Sequence, residues 1–397
     1  MPADSLTEQK LSQASQLLQQ STHHAWLLFV RETSVQNDPV LPFFLESGLT
    51  WQSAIVLGRN GERIAIVGTY DAPALQSTGQ WTEVVTYVQN IREPLLQALD
   101  HCVEPGGTIA INYSETDNHA DGLTLGMFNI LESIVQGTRH QGNWRSAEAL
   151  AVNLRSRKTS EETRRITEAV AQTLQLFEKI GSFAKVGMTE RQVYDQVHHW
   201  VRERGLGWSW DPSGDPIVNS GPNSMIGHGL PSDTIVIEPG HIFHVDLGVT
   251  FQGYSSDLQR VWMVGEQIPE MCQNAFKAVH AAIEAGAKAL TPGVAGWQVD
   301  AVARKTLVSH GYPEYLHAFG HQVGRVAHDG GALLGPRWER YGNAPDLPIE
   351  IGQIFTLELG ITVPGHGYLG LEEMVQVKEH GLTWLAPRQE HFWIIAK

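Results

Sequence analysis

The stretch "GHIFHVDLGVT" (240–250) returns far downstream as "GQIFTLELGIT" (352–362). Gly240 matches Gly352, Ile242 matches Ile354, Phe243 matches Phe355 and Gly248 matches Gly360; each copy sets one carboxylate, Asp246 or Glu358, in an otherwise apolar strand pattern. A buried charge is costly unless something pairs it, so a repeated one marks a site. The surroundings repeat too. Thr189 and Gln192 have capping-box spacing and open an amphipathic helix with Val193, Val197, Trp200 and Val201 on one face, stopping at Gly205. At an offset of 106, Gly187 maps on Gly293, Gln192 on Gln298, Val193 on Val299 and Gly205 on Gly311, whereas the opening strands sit at an offset of 112. Helices are predicted over 270–290 and through Val299 to Gly311, with strands after each helical block. From about residue 160 onward the chain reads as two halves of one duplicated α+β unit, and a site between such halves would draw equivalent ligands from each.

Upstream, apolar strands at 25–30, 53–57, 63–67 and 108–112 alternate with helical or turn segments such as 91–101, the pattern of a small α/β domain. "RSRKTSEE" (155–162) interrupts that pattern, and Thr159 with Glu162 caps a helix running to about 181. Two domains are predicted, 1–155 and 156–397. With 397 residues, 42% hydrophobic and 18% charged, the chain has the composition of a folded protein, and its net charge of −15 opposes nucleic-acid binding. Two cysteines, Cys102 and Cys272, support neither a disulfide framework nor a thiolate zinc site. No apolar run suits a signal peptide or a membrane span. A cytoplasmic protein with a small substrate and no nucleic-acid or membrane partner is expected.

A hairpin turning near Phe251–Gln252 would set Asp246 opposite Asp257, and one around Gly365 would set Glu358 opposite Glu372. Facing residues hold their Cβ atoms about 5 Å apart, so paired carboxylates repel unless a cation or a shared proton intervenes. Taken singly, Asp257 or Glu372 reads as a solvent-facing strand residue; two such pairs in a duplicated frame oppose that. Four oxygen donors suit one or two divalent cations, and a nitrogen donor shifts the preference from Mg²⁺ or Ca²⁺ toward Mn²⁺, Co²⁺, Fe²⁺ or Zn²⁺. "LHAFGHQVGRVAHDGG" (316–331) offers His317, His321 and His328, and "NSGPNSMIGHGLPSD" (219–233) adds His228 in a Gly/Pro-rich loop.

At these residues the chain resembles the M24 or pita-bread metallopeptidases, the group containing prolidase, aminopeptidase P and methionine aminopeptidase. The match rests on the ordered set Asp246, Asp257 eleven residues on, His321 in a Gly-His context, Glu358 and Glu372. The resemblance implies an α+β pita-bread catalytic domain with an internal pseudo-two-fold repeat, preceded by an α/β domain like that of creatinase and prolidase, which methionine aminopeptidase lacks. It makes those five residues the ligands of two divalent ions, manganese first with zinc, cobalt or iron as alternatives, and makes Asp257 and Glu358 shared between them. His228 and His328 match the family's pocket histidines, and His317 an extra histidine of aminopeptidase P-like members. Relatives with this N-terminal domain pair as homodimers, for which "NDPVLPFFLESGLTW" (37–51) is a candidate rim.

The same resemblance implies hydrolysis of an Xaa-Pro peptide bond, with Glu358 relaying a proton and His228, His328 and His317 serving the reaction. A dipeptide substrate requires recognition of its free carboxylate, for which Arg337 and Arg340 in "LLGPRWERYG" (333–342), and thirdly Arg325, are candidates. The alternatives are an aminopeptidase P acting on longer peptides, a non-peptide amidohydrolase or lyase on the same fold, and a metal-free binding protein, which would lose ligands that this chain keeps. The chain departs from the family pattern in four places. Asp329-Gly330-Gly331 stands where Glu and then Pro are usual, Gly370 replaces an arginine, Val261 follows Arg260 in place of Thr, and Gln322 follows the ligand histidine in place of Gly. Periodicity leaves Glu372 and Glu373 unsettled, because Val375 and Val377 share a face with Glu373; the family pattern favours Glu372.

Overall fold

The computed structural model describes residues 5–227 and 229–396. The chain divides at Arg155/Ser156 into two compact units.

In the first unit, strands β1 (Ala25–Val30), β2 (Ser53–Gly58), β3 (Arg63–Gly68), β4 (Glu83–Tyr87), β5 (Ile109–Ile111) and β6 (Trp144–Ser146) form one mixed sheet in the order β4-β3-β2-β1-β5-β6. Helices α1 (Leu6–Gln20), α2 (Ala72–Gln76), α3 (Arg92–Cys102), α4 (Leu125–Val135) and α5 (Glu148–Ser156) accompany it. Side chains alternate between the faces of a strand. Trp26, Leu28 and Val30 therefore enter one apolar cluster while Ala25, Leu27 and Phe29 enter another, which is why β1 is apolar throughout. The stretch 37–51 is mostly core: Val40, Leu41, Phe43, Phe44, Leu45 and Leu49 are buried there, and Trp51 is left 62% exposed.

The second unit begins with α6 (Ser160–Phe183) and α7 (Glu190–Glu203), each opened by a capping box, Thr159 with Glu162 and Thr189 with Gln192. Strands β7 (Gly207–Trp208), β8 (Ile217–Ser220), β9 (Ile242–Leu247), β10 (Val249–Phe251), β11 (Tyr254–Ser255) and β12 (Leu258–Val264) follow. After them come α8 (Glu270–Ala289), α9 (Gly296–Ser309), β13 (Ile354–Val363), β14 (Gly367–Val377), β15 (Leu382–Trp384) and β16 (Trp393–Ile395). The main sheet runs β13-β14-β12-β9-β8, with β15 beside β14 and β16 beside β12.

The duplication shows in matching bonds. Gly187 N donates to Ile237 O at 2.9 Å, and Gly293 N donates to Ile349 O at 2.8 Å. Bridges Thr189–Val236 and Ala295–Pro348 sit at the same offsets. Gln192 and Gln298 both reach back to accept from the backbone N–H three residues earlier. Helix α8 with α9 packs on Leu357, Leu359 and Ile361 of β13, and α6 packs through Phe177 on Trp262 of β12, itself against Phe243 of β9. Each half thus covers one face of its hairpin and leaves the other for the carboxylates.

One expected register is corrected. Asp246 faces Gln259, and Asp257 lies two residues before that partner. The turn is the two-residue Gln252-Gly253, flanked by the Phe251–Tyr254 pair, with φ of 48° and 77°. Positive φ at both turn residues is the type I′ geometry that fits the twist of a hairpin. A shift of two residues preserves the face, so Asp246 and Asp257 still point the same way. The second register is as expected, with Glu358 opposite Glu372.

Candidate metal centre

Glu358 lies between Leu357 and Leu359, which enter the core with α8 and α9, so strand alternation turns its carboxylate to the opposite face. Glu372 lies across from it on β14. Its neighbour Glu373 turns the other way and pairs with the fully buried Arg260, Nη2 to Oε2 at 2.9 Å. The same guanidinium donates to Gln259 O and Glu372 O, both at 2.8 Å. The two adjacent glutamates therefore have separate tasks.

His321 comes in on a segment running along β13. Thr356 N donates to His321 O at 2.9 Å, His321 N donates to Thr356 Oγ1 at 3.1 Å, and Glu358 N donates to Phe319 O at 2.8 Å. The approach requires Gly320, where a Cβ would lie 2.0 Å from Thr356 O. His321 Nε2 then sits 3.4 Å from Glu358 Oε1 and 3.7 Å from Asp257 Oδ2. One donor atom from each of Asp257, His321 and Glu372 falls within a 4.8 Å span.

Burial and then the Glu358 charge push the Asp246 carboxyl well up, and burial followed by the charges of Asp246 and Glu358 does the same to Asp257. Glu372 is also raised, by burial first and then by Asp257 and Glu358. Burial acts upward on Glu358 too, but the His321 hydrogen bond and the neighbouring histidines hold its carboxyl below the usual value. Asp246 Oδ1 and Glu372 Oε1 are buried with no hydrogen-bond partner among the described residues. Convergent carboxylates with orphaned oxygens and one imidazole fit a divalent cation.

Sequence reasoning missed three residues here. Gln259 Nε2 donates to Glu358 Oε2 and to Glu372 Oε2, each at 3.1 Å. His244 Nε2 lies 3.0 Å from Gln259 Oε1, and burial pushes that imidazole down to about 4. Tyr368 stacks edge-on against His244 with ring centroids 5.1 Å apart, and burial and then Glu358 raise its phenol. The signal for Gln259 was the Gln-Gly turn, which fixes the register that brings it opposite Asp246.

The remaining candidates are dispersed. His328 is exposed, its ring 4.3 Å from that of His321. Asp329, after it, is buried and paired with Lys158 Nζ at 2.8 Å, so the departure "HDGG" anchors this segment from inside. His317 is half-buried, with Nδ1 2.7 Å from Ala318 O, and Arg304 donates to its carbonyl at 3.0 Å. His228 lies outside the described residues. Arg337 pairs with Asp346 at 2.6 Å and lies over Trp297, while Arg340 donates to Leu316 O at 2.8 Å. Arg325 lies over the ring of Tyr254. No helix among the described residues is long and apolar enough to cross a membrane.

Comparison with known proteins identifies the family. The model of metallopeptidase family M24 matches residues 164–379. An uncharacterized peptidase of Bacillus subtilis is 31% identical over 57% of this chain and 61% of its own length. An Xaa-Pro dipeptidase of Pyrococcus furiosus is 28% identical over 65% of this chain and 72% of its own. Among solved structures, an X-Pro aminopeptidase from Thermotoga maritima superposes with a TM-score of 0.71 at 25% identity, covering 97% of this chain and 99% of that one. The fold is that of the pita-bread prolidases and aminopeptidases P, and with the family model spanning more than half of its length the chain belongs to metallopeptidase family M24.

Proposed function

We propose that the chain is an Xaa-Pro peptidase, acting first on dipeptides, whose centre holds two divalent cations on Asp246, Asp257, His321, Glu358 and Glu372. The observation that carries this reading is the set of buried carboxylates that face one another with oxygens left unpartnered. When bound, the cations supply Lewis acidity that activates water and polarises the scissile carbonyl. Glu358, held in its charged form beside His321, is the group that accepts the proton from water and passes it on. His328, exposed beside His321, orients the peptide and supports charge developing on its carbonyl oxygen, and His228 and His317 join it in that task. Arg337 and Arg340 are the arginines we assign to a substrate carboxylate, which would compete with Asp346 and with Leu316 O for them. We read manganese as the working metal and a cytoplasmic homodimer as the working assembly.

The dipeptide preference draws on the Pyrococcus Xaa-Pro dipeptidase, and the Thermotoga X-Pro aminopeptidase supports longer peptides as the second reading. A panel of Xaa-Pro, Xaa-Ala and Xaa-Pro-Yaa peptides with Mn²⁺ tests both. Cleavage confined to Xaa-Pro supports the first reading; efficient cleavage of Xaa-Pro-Yaa replaces it with the second. Indifference to proline refutes both.

A further inference from the structure

We propose that Gln259, braced by His244, is the positioning residue that sets the cation ligands Glu358 and Glu372; this rests on the reading of the centre given above. Gln259 is buried, and its amide nitrogen spends both hydrogens on the centre, reaching Glu358 Oε2 and Glu372 Oε2 at 3.1 Å each. Its oxygen faces His244 Nε2 at 3.0 Å, and a neutral imidazole with its one proton on that nitrogen donates to it. A reversed amide would turn Oε1 against two carboxylates, so the orientation is fixed from both ends.

The consequence for a cation follows from charge. A neutral amide holds one oxygen of each glutamate in place without cancelling the negative charge that attracts the metal, which an arginine would partly do. Glu372 is thereby divided: Oε2 is held by Gln259, while Oε1 is buried without a partner. Gly370 belongs to the same device. A Cβ there would lie 2.4 Å from Gln259 Oε1 and 2.9 Å from His244 Nε2, so a side chain at 370 and the amide cannot share the space. The glycine at 370 and the glutamine at 259 thus fit one another across two strands.

The test is Mn²⁺ titration of the metal-free full chain by calorimetry, followed by the electron paramagnetic resonance spectrum of bound Mn²⁺, which reads ligand geometry without substrate. Gln259→Met, which keeps the length and removes the donor, is expected to weaken Mn²⁺ binding about 10- to 100-fold, the range for groups that orient metal ligands. Gly370→Ala should do the same by displacing the amide, and Gln259→Asn, which withdraws it, serves if Gln259→Met does not fold. The decisive arm is the double variant Gln259→Met/Gly370→Ala. If Gly370 acts through Gln259, the double binds no more weakly than the weaker single, whereas independent structural damage multiplies. Wild-type binding with unchanged affinity and spectrum in the folded variants overturns the proposal alone, and so does a multiplying double. A wild-type chain that takes up no Mn²⁺ overturns the reading of the centre and this proposal with it.

Discussion

The two hairpins of the second unit descend from one pattern, yet they do not deliver the same chemistry. In the first, Asp246 faces Gln259; in the second, Glu358 faces Glu372. Since Gln259 also pairs with Glu372 across the junction of β12 and β14, the amide is the register counterpart of the carboxylate. Asp257, two residues before Gln259, has its counterpart in Gly370, two residues before Glu372. Duplication has kept one acid per half in place and moved the second acid along its strand. The outcome is a centre with four carboxylates and one amide, in which a fifth charge at 259 would add repulsion that neighbouring carboxylates already feel.

The sharpest way to break this comparison is to remove one acid from each half. Asp257→Asn and Glu358→Gln are both expected to cut peptidase activity by on the order of 1000-fold or more and to lower metal content, because each removes charge from a ligand assigned to both cations. Elemental analysis beside a rate assay checks it, and a variant with full metal and full rate contradicts the paired-ligand account. Neighbouring residues on β14 give the next contrast. Glu373→Gln should cost about 3–5 kcal/mol of stability by stranding the buried Arg260 charge, yet leave metal stoichiometry unchanged in denaturant-melt and binding experiments. Glu372→Gln should do the reverse, weakening metal binding and stabilising the metal-free chain.

A smaller effect separates the ligands from their flank. His328→Ala is expected to lower kcat by about 100-fold, the scale for one group that supports developing charge, with metal content nearly intact. Loss of metal in that variant would move His328 into the ligand set. The smallest effect is in pH. Asp246, Asp257 and Glu372 titrate above their ordinary values in the folded chain, through burial first and mutual repulsion second. A carboxyl raised in this way contributes stability that is full below its unfolded value and is lost as pH rises through the folded one. The metal-free chain should therefore melt at progressively lower temperature from about pH 4 upward, and saturating Mn²⁺ should reverse the trend. Scanning calorimetry across that range reads it; a metal-free Tm that climbs there would mean that the carboxyls ionise without strain.

The sequence made the second unit legible because its signals are redundant. Capping boxes, a repeated strand and glycines at two constant offsets all demand the same pair of halves, and Asp246 and Glu358 stand out because charge inside an apolar strand needs a reason. Glu372 could not be told from Glu373 by periodicity, since both are buried; the distinction lies in Arg260, which comes from another strand and claims only one of them. Gln259 escaped for a different reason. A neutral amide breaks no rule of patterning, and finding it required the turn at Gln252-Gly253 to be placed one residue later than the apolar pattern suggested. The candidate rim at 37–51 is mostly core, with Trp51 left exposed: an aromatic, proline-containing stretch looks alike in sequence whether it lines a surface or, as most of this one does, fills a core.

Hydrolysis of an Xaa-Pro dipeptide by the metal-free chain, followed as Mn²⁺ is added in measured equivalents, tests the central claim most directly. Two cations on five ligands predict no turnover in the presence of a chelator and a rate that reaches its plateau at two equivalents per chain. Undiminished turnover with the chelator present, or none at any equivalence, would contradict it.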